Sequence, residues 1–108
     1  MARLISTGCT VTNTFTLPCA PDNIAVLYIT YVQGGQLRLE KQLEDVALTE
    51  KEAGAEATVR LSQQDTLRFR PEDGPVRIQL RLRTRRGTAL KSRIVTAAVD
   101  EVLKEGVI

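Results

Sequence analysis

Pro75-Val76-Arg77-Ile78-Gln79-Leu80-Arg81-Leu82-Arg83-Thr84, followed by Arg85-Arg86-Gly87 and a second run from Thr88 to Val99, decides the fold class. Apolar and polar residues alternate without a slip from Val76 to Arg83, the two-residue period of a strand with one face in a core and the other in water. Arg85-Arg86-Gly87 between two threonines suits a three-residue hairpin loop, with Gly87 in the left-handed position that ends a type I turn. If Thr84 faces Thr88, then Leu82 opposes Leu90, Leu80 opposes Ser92 and Ile78 opposes Ile94. The same register sets Arg81 against Lys91 and Gln79 against Arg93 on the outer face. Like charges directly across a strand pair repel, so this face calls for anions.

Upstream of the hairpin the pattern is also one of short strands. Thr10 to Leu17 puts Val11, Asn13, Phe15 and Leu17 on one side and a row of threonines on the other. Pro18 to Asn23 is a turn or short loop. Ile24 to Val32 is apolar on nearly both faces and predicts a central strand. Gln33-Gly34-Gly35-Gln36 is a tight hairpin signal, and Leu37 to Lys41 is the returning strand. Val46 and Leu48 begin one further strand, and Ala57, Val59 and Leu61 another. Thr49 to Glu56 between them predicts a loop, with Thr49 and Glu52 spaced as a capping box. Ser62-Gln63-Gln64-Asp65 predicts one helical turn crossing from one sheet to the other, and Arg70 to Pro75 a loop rich in turn formers.

The 108 residues suit one domain, spanning 1–108. Seven to eight short strands punctuated by Gly, Pro, Asn and Asp predict an all-β, antiparallel, immunoglobulin-like sandwich. Aromatic residues are only 4% and Trp is absent, so the core must be aliphatic and base-stacking platforms are hard to build. The strand patterns assign Phe15, Tyr28, Tyr31 and Phe69 to core packing.

Chemistry finds little foothold. There is no His, the usual proton shuttle and the commonest transition-metal ligand. The chain has no phosphate-cradling Gly-rich loop, no nucleophile elbow, no metal-ligand spacing and no N-glycosylation acceptor. No enzymatic activity and no cofactor are expected. Cys9 and Cys19 flank an extended segment whose ends lie about 33 Å apart by strand rise, too far to bridge. They predict inert free thiols and a reducing compartment. No secretory leader is visible, and no apolar run approaches membrane-spanning length, so no membrane partner is expected.

Charge is unevenly spread behind a formal net of +2. Arg77, Arg81, Arg83, Arg85, Arg86, Lys91 and Arg93 form a candidate interaction face, with Arg68 and Arg70 just before it. Acids dominate from Glu40 to Glu56. This polarity allows an acidic segment to lie over the basic face, within one chain or between copies. A basic two-stranded ribbon could also track phosphates, so nucleic acid is an alternative partner. A small host-interaction module or inhibitor is a third reading.

Three runs carry a resemblance: Thr12-Asn13-Thr14-Phe15-Thr16-Leu17-Pro18, Leu61-Ser62-Gln63-Gln64-Asp65-Thr66-Leu67-Arg68-Phe69 and Val99-Asp100-Glu101-Val102-Leu103. Together the chain resembles small proteins of about this length encoded among the tail and baseplate genes of prophages in Gram-positive bacteria. The resemblance implies a non-enzymatic virion structural component, homo-oligomeric, with other phage structural proteins as partners. It would be assembled in the host cytoplasm and carried into the virion. The middle run is also similar to the crossing turn of immunoglobulin-like domains, without the Cys and Trp that mark antibody domains. Val107-Ile108, an apolar pair, is expected to pack on its own domain or dock on a neighbour.

Overall fold

A computed structural model describes residues 3–108, so Met1 and Ala2 of the expected domain lie outside the described residues. The strands are β1 (Arg3–Ser6), β2 (Val11–Leu17), β3 (Ile24–Gln33), β4 (Gln36–Gln42), β5 (Val46–Lys51), β6 (Gly54–Leu61), β7 (Val76–Thr84), β8 (Ala89–Lys91) and β9 (Val95–Asp100). A single helical turn, α1 (Gln63–Thr66), links β6 to β7. The larger sheet runs β1-β9-β7-β3-β4, with β8 beside β7, and the smaller runs β2-β6-β5. This all-β sandwich follows the immunoglobulin-like connectivity.

The quoted stretch forms β7 and sits between β3 and the β8–β9 edge. Val76, Ile78, Leu80, Leu82 and Thr84 point inward and are buried, while Arg77, Arg81 and Arg83 are exposed. Across the sandwich, β2 contributes Phe15 and Leu17, and β6 contributes Ala55, Ala57, Val59 and Leu61. The core is aliphatic except for Phe15, Tyr31 and Phe69, the last two with ring centroids 5.9 Å apart. The buried Tyr31 hydroxyl donates to Asn13 Oδ1 at 2.7 Å, tying the two sheets together.

Strand count and direction differ from expectation at the chain's two ends. Among the described residues there are nine strands, because the partner of β7 is broken between Lys91 and Val95. The missed strand is β1, whose only apolar residues are Leu4 and Ile5. It pairs in parallel with β9, Arg3 opposite Ala97 and Ser6 opposite Asp100, so the sandwich is not wholly antiparallel.

The hairpin register holds near the loop and fails beyond it. Arg81 pairs with Lys91 and Leu82 with Leu90; Gly87 has φ +94° and donates to the Thr84 carbonyl at 3.0 Å. At Ser92 the hydroxyl accepts the Leu80 N–H at 3.0 Å, a bond that a ladder carbonyl would otherwise take. The strand slips by one residue, which turns side chains to the other face. Ile78 therefore faces Val95 rather than Ile94, and Gln79 reaches the Ser92 carbonyl rather than standing opposite Arg93.

One further expectation is corrected. Thr49 to Glu56 is not a loop: β5 continues to Lys51 and β6 starts at Gly54, leaving only Glu52-Ala53 as the turn. Leu37, in the returning strand, stands opposite Val32 on the outer face, 60% exposed, past a bulge between Tyr31 and Val32. Both thiols are free; Cys9 is exposed, and Cys19 is half-buried, where burial pushes its thiol up. The Gln33–Gln36 hairpin matches its prediction, with φ +59° and +73° at its glycines.

α1 is the predicted crossing turn and carries a full capping box: Asp65 N–H donates to Ser62 Oγ at 3.1 Å, and Ser62 N–H to Asp65 Oδ2 at 2.9 Å. The buried Thr66 hydroxyl accepts from Gly8 N–H and donates to the Cys9 carbonyl, fastening α1 to the β1–β2 turn. Lys41 Nζ lies 2.9 Å from Asp65 Oδ2. Burial would raise the Asp65 carboxyl, but Lys41 and the two Ser62 bonds outweigh it and hold it below its ordinary 3.8. A lowered folded value contributes stability above the unfolded value, and this is lost as pH falls through the folded one. Asp65→Asn should therefore cost about 1 kcal/mol at neutral pH, with the difference from wild type shrinking below about pH 3.8. Urea titrations at neutral and acid pH check both; an undiminished gap at low pH counts against the pairing.

Candidate interaction face

The outer face of the larger sheet is built by β7, β3 and β8. Register places Val26 beside Arg83, Tyr28 beside Arg81, Thr30 beside Gln79 and Val32 beside Arg77. On the far side of β7, Lys91 stands next to Arg81. Arg77, Arg81, Arg83 and Lys91 thus share one face, all exposed, as the alternation requires.

The other three predicted residues are placed differently. Arg85 and Arg86 are exposed at the hairpin tip, where Arg85 Nε donates to the Asp22 carbonyl at 2.6 Å and Arg85 N–H to the Asn23 carbonyl at 2.8 Å. Arg85 is therefore committed to bracing the loop before β3. Arg93 is exposed in the irregular link between β8 and β9. Arg68 and Arg70 lie at the opposite pole, Arg68 reaching the Arg38 carbonyl and Arg70 standing 3.9 Å from Glu72.

The acids between Glu40 and Glu56 do not cover this face in the same chain. Among the described residues the ion pairs are Arg38–Asp73, Lys41–Asp65 and Arg70–Glu72, and none includes Arg77, Arg81, Arg83 or Lys91. Glu40 stands on the outer face but is bonded to the Thr30 hydroxyl at 3.2 Å. Glu50 and Glu52 belong to the smaller sheet's β5–β6 turn, and Glu56 to its outer face beside Thr49.

Apolar groups interrupt the basic row, which the sequence pattern did not reveal. Tyr28, assigned to the core by its strand pattern, is 41% exposed beside Arg81. Ile94, turned outward by the one-residue slip, is 46% exposed. Two hollows of about 200 Å³ each result, one between Val32, Arg77 and Ile94 and the other between Tyr28, Arg83 and Ala89, with Arg81 bordering both. Arg and Tyr around shallow apolar hollows are the composition of interface hot spots. The smaller sheet's outer face contrasts with it: Thr12, Thr14, Thr16, Thr49 and Thr58 make it a hydroxyl surface.

A cleft of about 480 Å³ lies at the other pole, between Leu67, Phe69, Arg70, Glu101 and Val102. Among the described residues, no group of three or more His, Cys, Asp or Glu is placed to hold a metal ion. No helix among them is long and apolar enough to cross a membrane.

Fold and surface together define a small β-sandwich with one basic, partly apolar face and one hydroxyl face. In comparisons with known proteins, no family model, curated protein or solved structure matches the chain.

Proposed function

We propose that this protein is a non-enzymatic structural module that acts by protein–protein assembly, as a tail or baseplate component of a prophage virion. The observation that carries the assembly reading is the row Arg77, Arg81, Arg83 and Lys91, unpaired by any carboxylate of its own chain among the described residues and set around apolar hollows. Like charges placed side by side at Arg81 and Lys91 cost stability, a cost that an anionic partner surface would remove. The resemblance of the Thr12–Pro18, Leu61–Phe69 and Val99–Leu103 runs to prophage tail-region proteins supplies the virion context.

Gene order is the first check: flanking tape-measure or baseplate genes support the virion reading, and an unrelated neighbourhood counts against it. The biochemical check is binding to the purified products of neighbouring tail genes. Wild type should bind, and Arg81→Glu/Arg83→Glu should bind at least about tenfold more weakly, with an unchanged circular dichroism spectrum. Equal binding by both proteins would remove the face from the interaction.

Exposed Tyr28 beside Arg81 favours one second reading, a nucleic-acid surface combining stacking with phosphate contacts. Its mark would be affinity for DNA or RNA falling with a log–log salt slope of about −3 to −4 for four neutralised phosphates. A flat anisotropy titration disposes of it.

A further inference from the structure

Resting on the assembly reading, we infer that the basic face receives the 100–108 segment of a second copy of this chain, so that copies join pole to face. Both surfaces are unsatisfied as they stand. Leu103 is 93% exposed, Ile108 90% and Val107 55%, large apolar side chains presented together with Asp100, Glu101 and Glu105 against Lys104 alone. The receiving face has the complementary makeup: two apolar hollows sized for aliphatic side chains, bounded by Arg77, Arg81 and Arg83.

The two surfaces do not meet within one chain: no residue of the 100–108 segment lines either hollow. β9 runs antiparallel to β7 and its end, Asp100, passes beyond Val76, so residues 101–108 lie at the pole where β7 begins. There the Gln63 side chain holds Ile108, accepting its N–H at 2.8 Å and donating to its carbonyl at 3.2 Å. That double bond to α1 steers the segment away from the outer face of the larger sheet. The backbone packs on its own domain, while the side chains of Leu103 and Ile108 remain in water. The hairpin tip is at the other end of a molecule 46 Å long.

The acidic β5–β6 turn is the competing donor, and it offers charge without an exposed large apolar side chain. The 100–108 segment offers both. Joining unlike surfaces makes the contact heterologous, which builds rings or open filaments rather than stopping at a dimer.

The test is sedimentation velocity of the full chain from micromolar to millimolar concentration, at low and high salt. Wild type should pass beyond dimer as concentration rises, with association weakened by salt. Leu103→Asp/Ile108→Asp removes one surface and Arg81→Glu/Arg83→Glu the other; all four positions are exposed, so both variants should stay folded. Each alone should associate at least about tenfold more weakly. Mixed one to one, they should form a heterodimer and nothing larger, since each retains the surface the other lacks. A mixture that stays monomeric, or single variants that still assemble, overturns the inference. A wild type that is monomeric throughout yet binds neighbouring tail proteins overturns it while leaving the assembly reading in place.

Discussion

Gly54→Ala should lower the stability of this protein by about 4 kcal/mol or more, among the largest losses a single methyl group can cause. Gly54 opens β6 opposite Lys51, at φ +147°, where side chains are strained in any surroundings. Here the surroundings are also closed. A Cβ at this position would run into the Leu17 carbonyl oxygen and crowd Cys19 N and Pro18 C, all backbone atoms of the end of β2 and the loop after it. Backbone cannot swing aside as a side chain can, so β2 must separate from β6, and with it Phe15 and Leu17 leave the core. Gly35→Ala is the control: its φ is +73°, but nothing lies within 4 Å of the added carbon. It should cost only about 1–2 kcal/mol, the conformational part. Urea titrations of the two variants separate conformation from collision, and equal losses would refute the close approach at Gly54.

Gln33→Leu should cost about 3 kcal/mol, corresponding to a fall in Tm of about 10–20 °C for a domain of this size. Gln33 ends β3 and is 1% exposed, a polar side chain in an apolar core. It is kept there by three hydrogen bonds: Nε2 donates to the Arg70 carbonyl at 2.6 Å and to the Gly74 carbonyl at 2.8 Å, and Oε1 accepts Arg70 N–H at 2.9 Å. One amide therefore braces both ends of the single 3-10 turn, Pro71–Asp73, in the loop before β7. Leucine fills a similar volume and takes this partner from the Arg70 N–H and the Gly74 carbonyl, while the Arg70 carbonyl keeps only the Asp73 N–H; leaving buried polar groups unpaired is the costly way to lose a hydrogen bond. Amide exchange at Arg70 should accelerate together with the loss of stability. A loss below about 1 kcal/mol would mean that the loop finds other partners.

Gln33 also marks where pattern stops being informative. In the sequence it reads as the first polar residue of a hairpin, and nothing local says that it is buried. The elements legible from the chain were those whose determinants are local: alternation in β2 and β7, the paired glycines after β3, and Ser62 with Asp65 at the start of α1. Features set by distant partners were not legible. β1 has too few apolar residues to announce a strand and exists because β9 offers it an edge. Tyr28 looked like core because β3 is apolar on both faces, and only the sheet order shows which face is covered. The predicted basic face was legible through Arg77, Arg81, Arg83 and Lys91, since a two-residue period keeps them together wherever the strand lies. Arg93 and Ile94 were misplaced by one residue because a serine hydroxyl took a ladder bond, a competition that alternation cannot register. Ile94 reaches the face through that slip and Tyr28 because its side of β3 is the uncovered one, so the hollows were hidden from the sequence.

The parallel pairing of β1 with β9 bears on how the chain reaches this state. Ser6 and Asp100 are bonded side chain to side chain across 94 positions. A contact of that span must await nearly the whole chain, and its loop-closure entropy makes it slow to form. During synthesis β7 can find β3 and β2 can find β6 while β1 has nothing to pair with. Of the strands described, the first to be made is the last to dock, and until it does the β9 edge stays open to any other strand that meets it.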